Sequence, residues 1–231
     1  MQRILLVDDD RLLCDMLCRY LAEGGFDCVA VHDGDAALER LANGGFDAVV
    51  LDVMLPKANG LEVLHRLRQV DSIPVLMLTA WGGEEASIIG LENGADDYLT
   101  KPCNPKVLSV RLRAVLRRTA TGSITGSRSL LTINGVTLHS GARLVKVAGE
   151  EKRLTSAEFN ILELLMKEAG RVVNKETLAL HGLGRKLAPY DRSIDLHISM
   201  LRRKLGHGQS TVSPIRTIRG SGYFFALSDE E

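Results

Sequence analysis

The sequence predicts two folds in series. Residues 1–118 read as an α/β doubly wound (βα)5 domain, and residues 130–228 as an α+β domain of three helices closed by a hairpin. Three observations carry this. Five short Ile/Leu/Val runs alternate with amphipathic helical patterns in the first half. That periodicity stops near residue 119 in a stretch rich in Gly, Ser and Thr. Beyond it come hairpin turns first and helices afterwards.

In the first half the strand candidates are Ile4–Val7, Cys28–Val31, Ala48–Leu51, Val75–Leu78 and a short Tyr98–Leu99. Nearly unbroken apolar runs of this length fit strands buried on both faces, which means a parallel sheet covered by helices. The helical patterns fall near 10–22, 34–42, 59–69, 84–93 and 105–118, with Gly24-Gly25 and Gly44-Gly45 as stops. Residues 119–129, Thr-Ala-Thr-Gly-Ser-Ile-Thr-Gly-Ser-Arg-Ser, read as a flexible linker.

After the linker, short segments at Leu131–Ile133, Val136–His139, Leu144–Val147 and Lys152–Leu154 are separated by Asn134-Gly135, Ser140-Gly141 and Gly149-Glu150. These are hairpin signals. Thr155 followed by Glu158 is a capping box opening a helix. A second helix is expected near 175–181 and a third near 191–205, where Ile194, Ile198, Leu201 and Leu205 form one apolar face. The strand Ile215–Ile218, a turn at Arg219-Gly-Ser-Gly222 and the strand Tyr223–Leu227 close the chain. This is the helix-turn-helix plan with a wing.

The formal net charge of zero hides an asymmetry. Residues 1–120 carry 13 Lys and Arg against 18 Asp and Glu, while residues 121–231 carry 16 against 11. An acidic half joined to a basic half suggests a cation site and a polyanion site. No run approaches the roughly 18 apolar residues of a membrane span, and the start lacks the apolar region of a signal peptide. A cytoplasmic protein without a membrane partner is expected. Cys14 and Cys18, four apart on a helix, make a zinc pair conceivable, but no CxxC or nearby His completes four ligands. Cys14, Cys18, Cys28 and Cys103 are therefore expected to be reduced thiols in the role of small core residues, with no disulfide.

The chemistry-bearing residues cluster at strand ends. Asp8, Asp9 and Asp10 lie just past the first strand and Asp52 just past the third. Ligands of open parallel sheets bind at those C-terminal ends, where strand order reverses. Several carboxylates there would repel, and a hard divalent cation such as Mg²⁺ relieves this while keeping positions for phosphate oxygens. Thr79 ends the fourth strand and Lys101 follows the fifth. A hydroxyl and an ammonium converging on such a carboxylate make a phosphoryl site. One of Asp8–Asp10 is also expected to cap the first helix.

The runs Ile4-Leu-Leu-Val-Asp-Asp-Asp10, Leu51-Asp-Val-Met-Leu-Pro56 with Asn59-Gly60, Met77-Leu-Thr-Ala80 and Gly94-Ala-Asp-Asp-Tyr-Leu-Thr-Lys-Pro102 resemble the receiver domain of bacterial response regulators. The resemblance implies that Asp52 is the phosphoacceptor. It implies that Asp9, Asp52 and the Met54 carbonyl bind Mg²⁺, with Asp8 acting through water. It makes Thr79, Tyr98 and Lys101 the switch, with Tyr98 turning inward on activation and Lys101-Pro102 a cis peptide. It further implies a homodimer through the face of helices 84–93 and 105–118, with Asp97–Arg111 and Asp96–Arg118 as ion pairs. Ser87 and Val107 stand where the family usually has a basic residue and its acidic partner, so an apolar contact is expected there. Cys103 also replaces a common Phe.

In the second half, Arg192, Asp195, Ser199, Met200 and Arg203 flank the apolar stripe of the third helix and are candidates to reach bases. Arg219 on the hairpin turn is placed to enter a minor groove. The runs Leu154-Thr-Ser-Ala-Glu-Phe159, Gly170-Arg-Val-Val173, Asp195-Leu-His-Ile198, Leu201-Arg-Arg-Lys-Leu205 and Thr217-Ile-Arg-Gly-Ser-Gly-Tyr223 resemble the OmpR/PhoB winged-helix family. Residues 183–199 resemble its envelope-stress (CpxR-type) members. The resemblance implies a recognition helix in the major groove, phosphate contacts from Arg202 and His197, Thr217 at the DNA, and a 182–190 loop that meets RNA polymerase. Ser199 and Met200 replace residues that are basic in some relatives, so the preferred DNA sequence does not carry over.

The expectation is thus a regulator that takes a phosphoryl group from a sensor histidine kinase and binds tandem half-sites in promoter DNA. It is not expected to be an enzyme beyond assisting its own Mg²⁺-dependent phosphotransfer and dephosphorylation. A second reading is an enzyme with an aspartyl-phosphate intermediate at Asp52. The DxD of aspartate-nucleophile phosphatases is absent at Asp52-Val-Met, as are a P-loop and a GxGxxG. Multiple turnovers of phosphomonoesters would favour it. A third is a regulator that works as an unphosphorylated dimer, favoured by Ser87/Val107 and opposed by the intact acidic set.

Overall fold

The computed structural model describes residues 1–80, 91, 93–117, 130–189, 191–206 and 213–227, and of 118–120 the backbone alone. Most of the predicted helix 84–93, Ser87 included, thus lies outside the described residues, as does most of the predicted linker.

The chain divides into two compact units, Met1–Leu116 and Arg117–Glu231. In the first, β1 (Gln2–Val7), β2 (Phe26–Val31), β3 (Ala48–Asp52), β4 (Val75–Thr79) and β5 (Asp97–Thr100) form a parallel sheet in the order β2-β1-β3-β4-β5. The helices α1 (Arg11–Glu23), α2 (Gly34–Ala42), α3 (Gly60–Val70) and α4 (Pro105–Ala120) accompany it. Every residue of β3 and β4 is buried, as the unbroken apolar runs require. On one face Ile4, Leu6, Val50, Leu76 and Leu78 pack with Leu17 and Leu21 of α1 and Leu108 and Leu112 of α4. Asp10 is the helix cap expected among the three aspartates, its carboxylate accepting from the Leu13 N–H at 3.0 Å. The helix α4 runs to Ala120, two residues into the stretch read as linker.

One expectation is corrected here. Cys18 on α1 and Cys28 on β2 are bonded as a disulfide, their Cα atoms 5.2 Å apart, while Cys14 and Cys103 are free. Sequence spacing directs attention to Cys14 and Cys18. The β1-α1-β2 crossover instead lays Cys18 beside the edge strand, a long-range consequence of topology.

The second unit opens with an antiparallel sheet, β6 (Leu130–Ile133), β7 (Val136–His139), β8 (Leu144–Val147) and β9 (Glu150–Lys152). Asn134-Gly135 turns with both φ angles positive, the two-residue hairpin that the sequence signals. The last turn falls on Ala148-Gly149 rather than on Gly149-Glu150, again with both φ positive. This pairs Val147 with Glu150 and ends β9 at Lys152, so Leu154 is not a strand residue. Three helices follow, α5 (Ser156–Lys167), α6 (Lys175–Gly182) and α7 (Ser193–Leu205), then the hairpin β10 (Ile215–Ile218) and β11 (Gly222–Phe225). The Thr155/Glu158 capping box is present in both directions. The helices and hairpin share one core, in which Phe159, Leu162 and Leu165 meet Ile194, Ile198, Leu201 and Phe225. Tyr223 exchanges backbone hydrogen bonds with Val173. A Cβ at Gly222 would lie 2.1 Å from the Val173 carbonyl oxygen, so only glycine fits at this end of the wing.

Candidate functional site

In the order β2-β1-β3 the chain leaves the central strand β1 in both directions, so the crevice opens at the C-terminal ends of β1 and β3. Asp8 follows β1 and Asp52 ends β3. Carboxylate oxygens of Asp8, Asp9 and Asp52 lie within 4.8 Å of one another. Asp8 is 0% exposed and Asp52 2%, whereas Asp9 faces solvent. The Lys101 Nζ lies 2.6 Å from Asp52 Oδ2 and 2.6 Å from Asp8 Oδ2, bridging the two buried carboxylates. Thr79 is buried at the end of β4, and Lys101-Pro102 is cis as expected.

The electrostatics follow from this packing. Burial pushes the Asp52 carboxyl above the ordinary aspartate range, against the opposing pull of Lys101. Burial alone would lower the Lys101 ammonium, but its hydrogen bonds to Asp52 and Asp8 outweigh that and hold it above its ordinary value. Asp8 and Asp52 share the Lys101 ammonium and Asp9 stands beside them, leaving a net negative pocket of oxygen donors. A hard divalent cation fits such a set, with Asp8, Asp9 and Asp52 as the residues that could hold it. The Met54 N–H donates to Asp52 Oδ1 at 3.2 Å, which holds the loop carrying the Met54 carbonyl beside that carboxylate. The same loop is gripped from below. A Cβ at Gly60 would lie 1.9 Å from the Asp52 carbonyl oxygen, so α3 can start this close to β3 only with glycine there.

The residues expected at a dimer face divide. Asp97 pairs with Arg111 at 2.8 Å within the same chain, and Arg111 also donates to the Tyr98 carbonyl. Tyr98 itself is half-buried. Asp96 is wholly buried and pairs with Arg68 at 3.1 Å, also accepting from the Val75 N–H. Its carboxylate is thus engaged inside the domain. Val107 is 40% exposed and Val110 56%, an apolar strip on α4. The Arg118 side chain lies outside the described residues.

The residues expected to face DNA also divide. Arg192 just before α7, Ser199 and Arg203 on it, and Thr217 and Arg219 on the wing are exposed. Met200 is 5% and His197 1% exposed, so in this structure both side chains lie in the core and not on the surface where contact with a base or a phosphate was expected. Residues 193, 197 and 200 form a second buried row beside Ile194, Ile198 and Leu201, because α7 packs against both α5 and α6. A helix gripped from two sides buries a wider arc than one apolar stripe indicates.

The contacts of three residues, Asp195, Arg202 and Asp191, were not legible in the sequence. Asp195 accepts from the Tyr223 hydroxyl and pairs with Lys175, while Arg202 donates to the Ile215 carbonyl at 3.0 Å and to Thr217 Oγ1 at 2.7 Å. Arg202 and Asp195 therefore tie α7 to α6 and the wing. Asp191 caps the Ser193 N–H at 2.9 Å and is itself held by Arg185, so the turn before α7 is built. The Asp195 and Arg202 contacts join residues distant in sequence, whereas those of Asp191 lie within its own turn.

Comparison with known proteins agrees with both halves. Residues 4–113 match the family described as response regulator receiver domain, and residues 149–225 the one described as transcriptional regulatory protein, C terminal. The chain is 44% identical over 224 residues to a CpxR homolog of Haemophilus influenzae, covering 96% of this chain and 98% of that protein. It is 43% identical over 228 residues to the transcriptional regulatory protein CpxR of Escherichia coli K12, covering 96% and 97%. The crystal structure of the response regulator DrrB, a Thermotoga maritima OmpR/PhoB homolog, matches with a TM-score of 0.52 at 30% identity, covering 98% of this chain and 99% of that one. This chain therefore belongs to the OmpR/PhoB family of two-component response regulators, DNA-binding transcription regulators under phosphorylation control.

Proposed function

We propose that a sensor histidine kinase phosphorylates this chain on Asp52, and that the phosphorylated form dimerises through its receiver and binds tandem half-sites in promoter DNA. The observation that supports this most is the convergence of Asp8, Asp9, Asp52 and Lys101 at the switch point of the sheet.

In this reading the Asp52 carboxylate attacks phosphorus. The P–N bond to the kinase imidazole breaks, and the imidazole keeps the electron pair. Lys101, already 2.6 Å from Asp52, meets the incoming phosphoryl oxygens, and Thr79 donates its hydroxyl to them. Mg²⁺ held by Asp8, Asp9, Asp52 and the Met54 carbonyl would neutralise charge on the phosphoryl oxygens. Drawing Lys101 and Thr79 towards the new group shifts the loops after β4 and β5, and Tyr98 turns inward. The same groups would assist hydrolysis, so the phosphorylated state is self-limiting.

The dimer is proposed to use α4, where exposed Val107 and Val110 supply an apolar contact in place of the ion pair missing at Ser87/Val107. The Asp96–Arg118 pair would require Asp96 to leave Arg68. Exposed Arg192, Ser199, Arg203, Thr217 and Arg219 are proposed to meet DNA, with Arg residues on phosphates and Ser199 on a base edge. The structured turn before α7 is offered as the surface for RNA polymerase. The CpxR relatives support a cytoplasmic role in envelope stress.

The direct test is incubation with a small phosphodonor and Mg²⁺, followed by mass analysis. Wild type is expected to gain one phosphoryl group and Asp52→Asn none. Labelling of Asp52→Asn, or of neither protein, would refute the assignment.

A further inference from the structure

The acidic loop hangs between two elements. From α1, the Cys14 thiol donates to the Asp8 carbonyl oxygen at 3.4 Å, and the Leu13 N–H donates to the Asp10 carboxylate at 3.0 Å. From the end of β2, the Val31 carbonyl accepts the Asp8 N–H at 3.1 Å, and His32 Nδ1 lies 3.0 Å from the Asp8 carbonyl oxygen. The Asp10 N–H closes the loop on Asp8 Oδ1 at 3.1 Å. The Cys18–Cys28 bond joins these same two elements, one turn further along α1 and three residues back along β2.

We propose that Cys18 and Cys28 are a redox modification site: a reversible dithiol–disulfide staple that fixes the acidic loop of the receiver by clamping α1 to the edge strand. Several observations support it. The Cα separation of 5.2 Å is one a disulfide spans without backbone movement. Both cysteines are only half-buried, so an oxidant or a thiol can reach them. The strand β2 is the sheet's edge, held on one side by β1 alone, so a crosslink to α1 adds a restraint that the ladder lacks. Cys14, by contrast, is wholly buried with its thiol donating to the Asp8 carbonyl oxygen, which keeps it from an oxidant.

The chemistry balances with a hydroperoxide as oxidant. One thiolate attacks the peroxide, the O–O bond breaks, an alcohol or water leaves, and a sulfenic acid remains. The second thiol then attacks that sulfur, the S–S bond forms, the S–O bond breaks and water leaves. Two thiols have lost two electrons and two protons. A dithiol reductant reverses the change by exchange.

The staple has a readout independent of phosphorylation or DNA. Full-length protein is reduced, treated with hydrogen peroxide, denatured, alkylated and mapped by mass spectrometry. The reduced form is expected to show four alkylated cysteines, and the oxidised form two, Cys14 and Cys103, with the Cys18 and Cys28 peptides linked. Dithiothreitol restores four. In oxidised wild type the receiver is expected to melt about 5–10 °C higher than in the reduced form. Hydrogen exchange at the amides of Asp8, Asp10 and Leu13 is expected to slow by about tenfold. Cys18→Ser and Cys28→Ser should each keep the reduced behaviour with or without peroxide, and Cys103→Ser should behave as wild type. Four alkylated cysteines after peroxide, a link between any other pair or between chains, or unchanged exchange in the linked form would each overturn the proposal.

Discussion

The Tyr223 hydroxyl donates to the Asp195 carboxylate, so the last strand of the wing holds the first turn of α7. Arg202, with its guanidinium 5.8 Å over the Tyr223 ring, joins the other end of the helix to β10. The surface proposed to meet DNA is thus one piece, with helix and wing fixed to each other.

Removing that contact should loosen the piece. Tyr223→Phe is expected to cost about 1 kcal/mol of stability, since a hydrogen bond to a charged acceptor is lost while Asp195, one-third exposed, keeps Lys175. DNA affinity should fall several-fold, while far-ultraviolet circular dichroism stays native. The contact also has a pH signature. Burial and the adjacent Asp195 carboxylate push the Tyr223 hydroxyl above the ordinary tyrosine range. A raised folded value means this stabilisation is whole below the unfolded tyrosine value of about 10 and is lost as pH climbs through the folded one. Alkaline melts should therefore show a loss in wild type that Tyr223→Phe lacks.

Lys101 is the only cation seen between Asp8 and Asp52 among the described residues. Lys101→Met leaves two buried carboxylates facing each other, at an expected cost of about 3 kcal/mol without divalent cation. Added Mg²⁺ should then stabilise the variant more than it stabilises wild type. Urea melts with and without Mg²⁺ measure both, and an equal gain in the two proteins would argue against a shared cation site.

Gly60→Ala sets a Cβ against the Asp52 backbone. It is expected to destabilise the receiver by about 2 kcal/mol and to slow phosphorylation of Asp52, because the clash bears on the strand end that carries it. Thermal melts and phosphodonor kinetics on the same sample test the pair of effects together.

Met200 and Ser199 separate packing from recognition, although they are neighbours. Met200→Ala is expected to cost about 2–3 kcal/mol and leave the preferred DNA sequence unchanged, because the side chain is buried. Ser199→Ala should leave stability within about 0.5 kcal/mol and alter sequence choice. Arg203→Ala should weaken all DNA sequences alike and reduce the salt slope by about one. Binding to a randomised library at two salt concentrations distinguishes the three.

How much of this could be read from the sequence follows from the range of the interactions. Strands buried on both faces, the Thr155 cap and the Asn134-Gly135 hairpin are set by neighbours in the chain, and each was legible to within a few residues. The acidic set was legible too, because its members stand at strand ends whose positions the apolar runs mark. The burial of Met200 and His197 was not legible, because one helix's periodicity does not show how many elements grip it. Asp96 finds Arg68, Cys18 finds Cys28 and Asp195 finds Tyr223 across long stretches of chain, and no local pattern encodes those meetings.

If phosphorylation at Asp52 controls DNA binding, gel-shift affinity for genomic fragments shows it. Wild type and Asp52→Ala are compared with and without a small phosphodonor plus Mg²⁺. Tighter binding is expected in phosphodonor-treated wild type alone, and equal binding in all four conditions would mean that Asp52 does not control it.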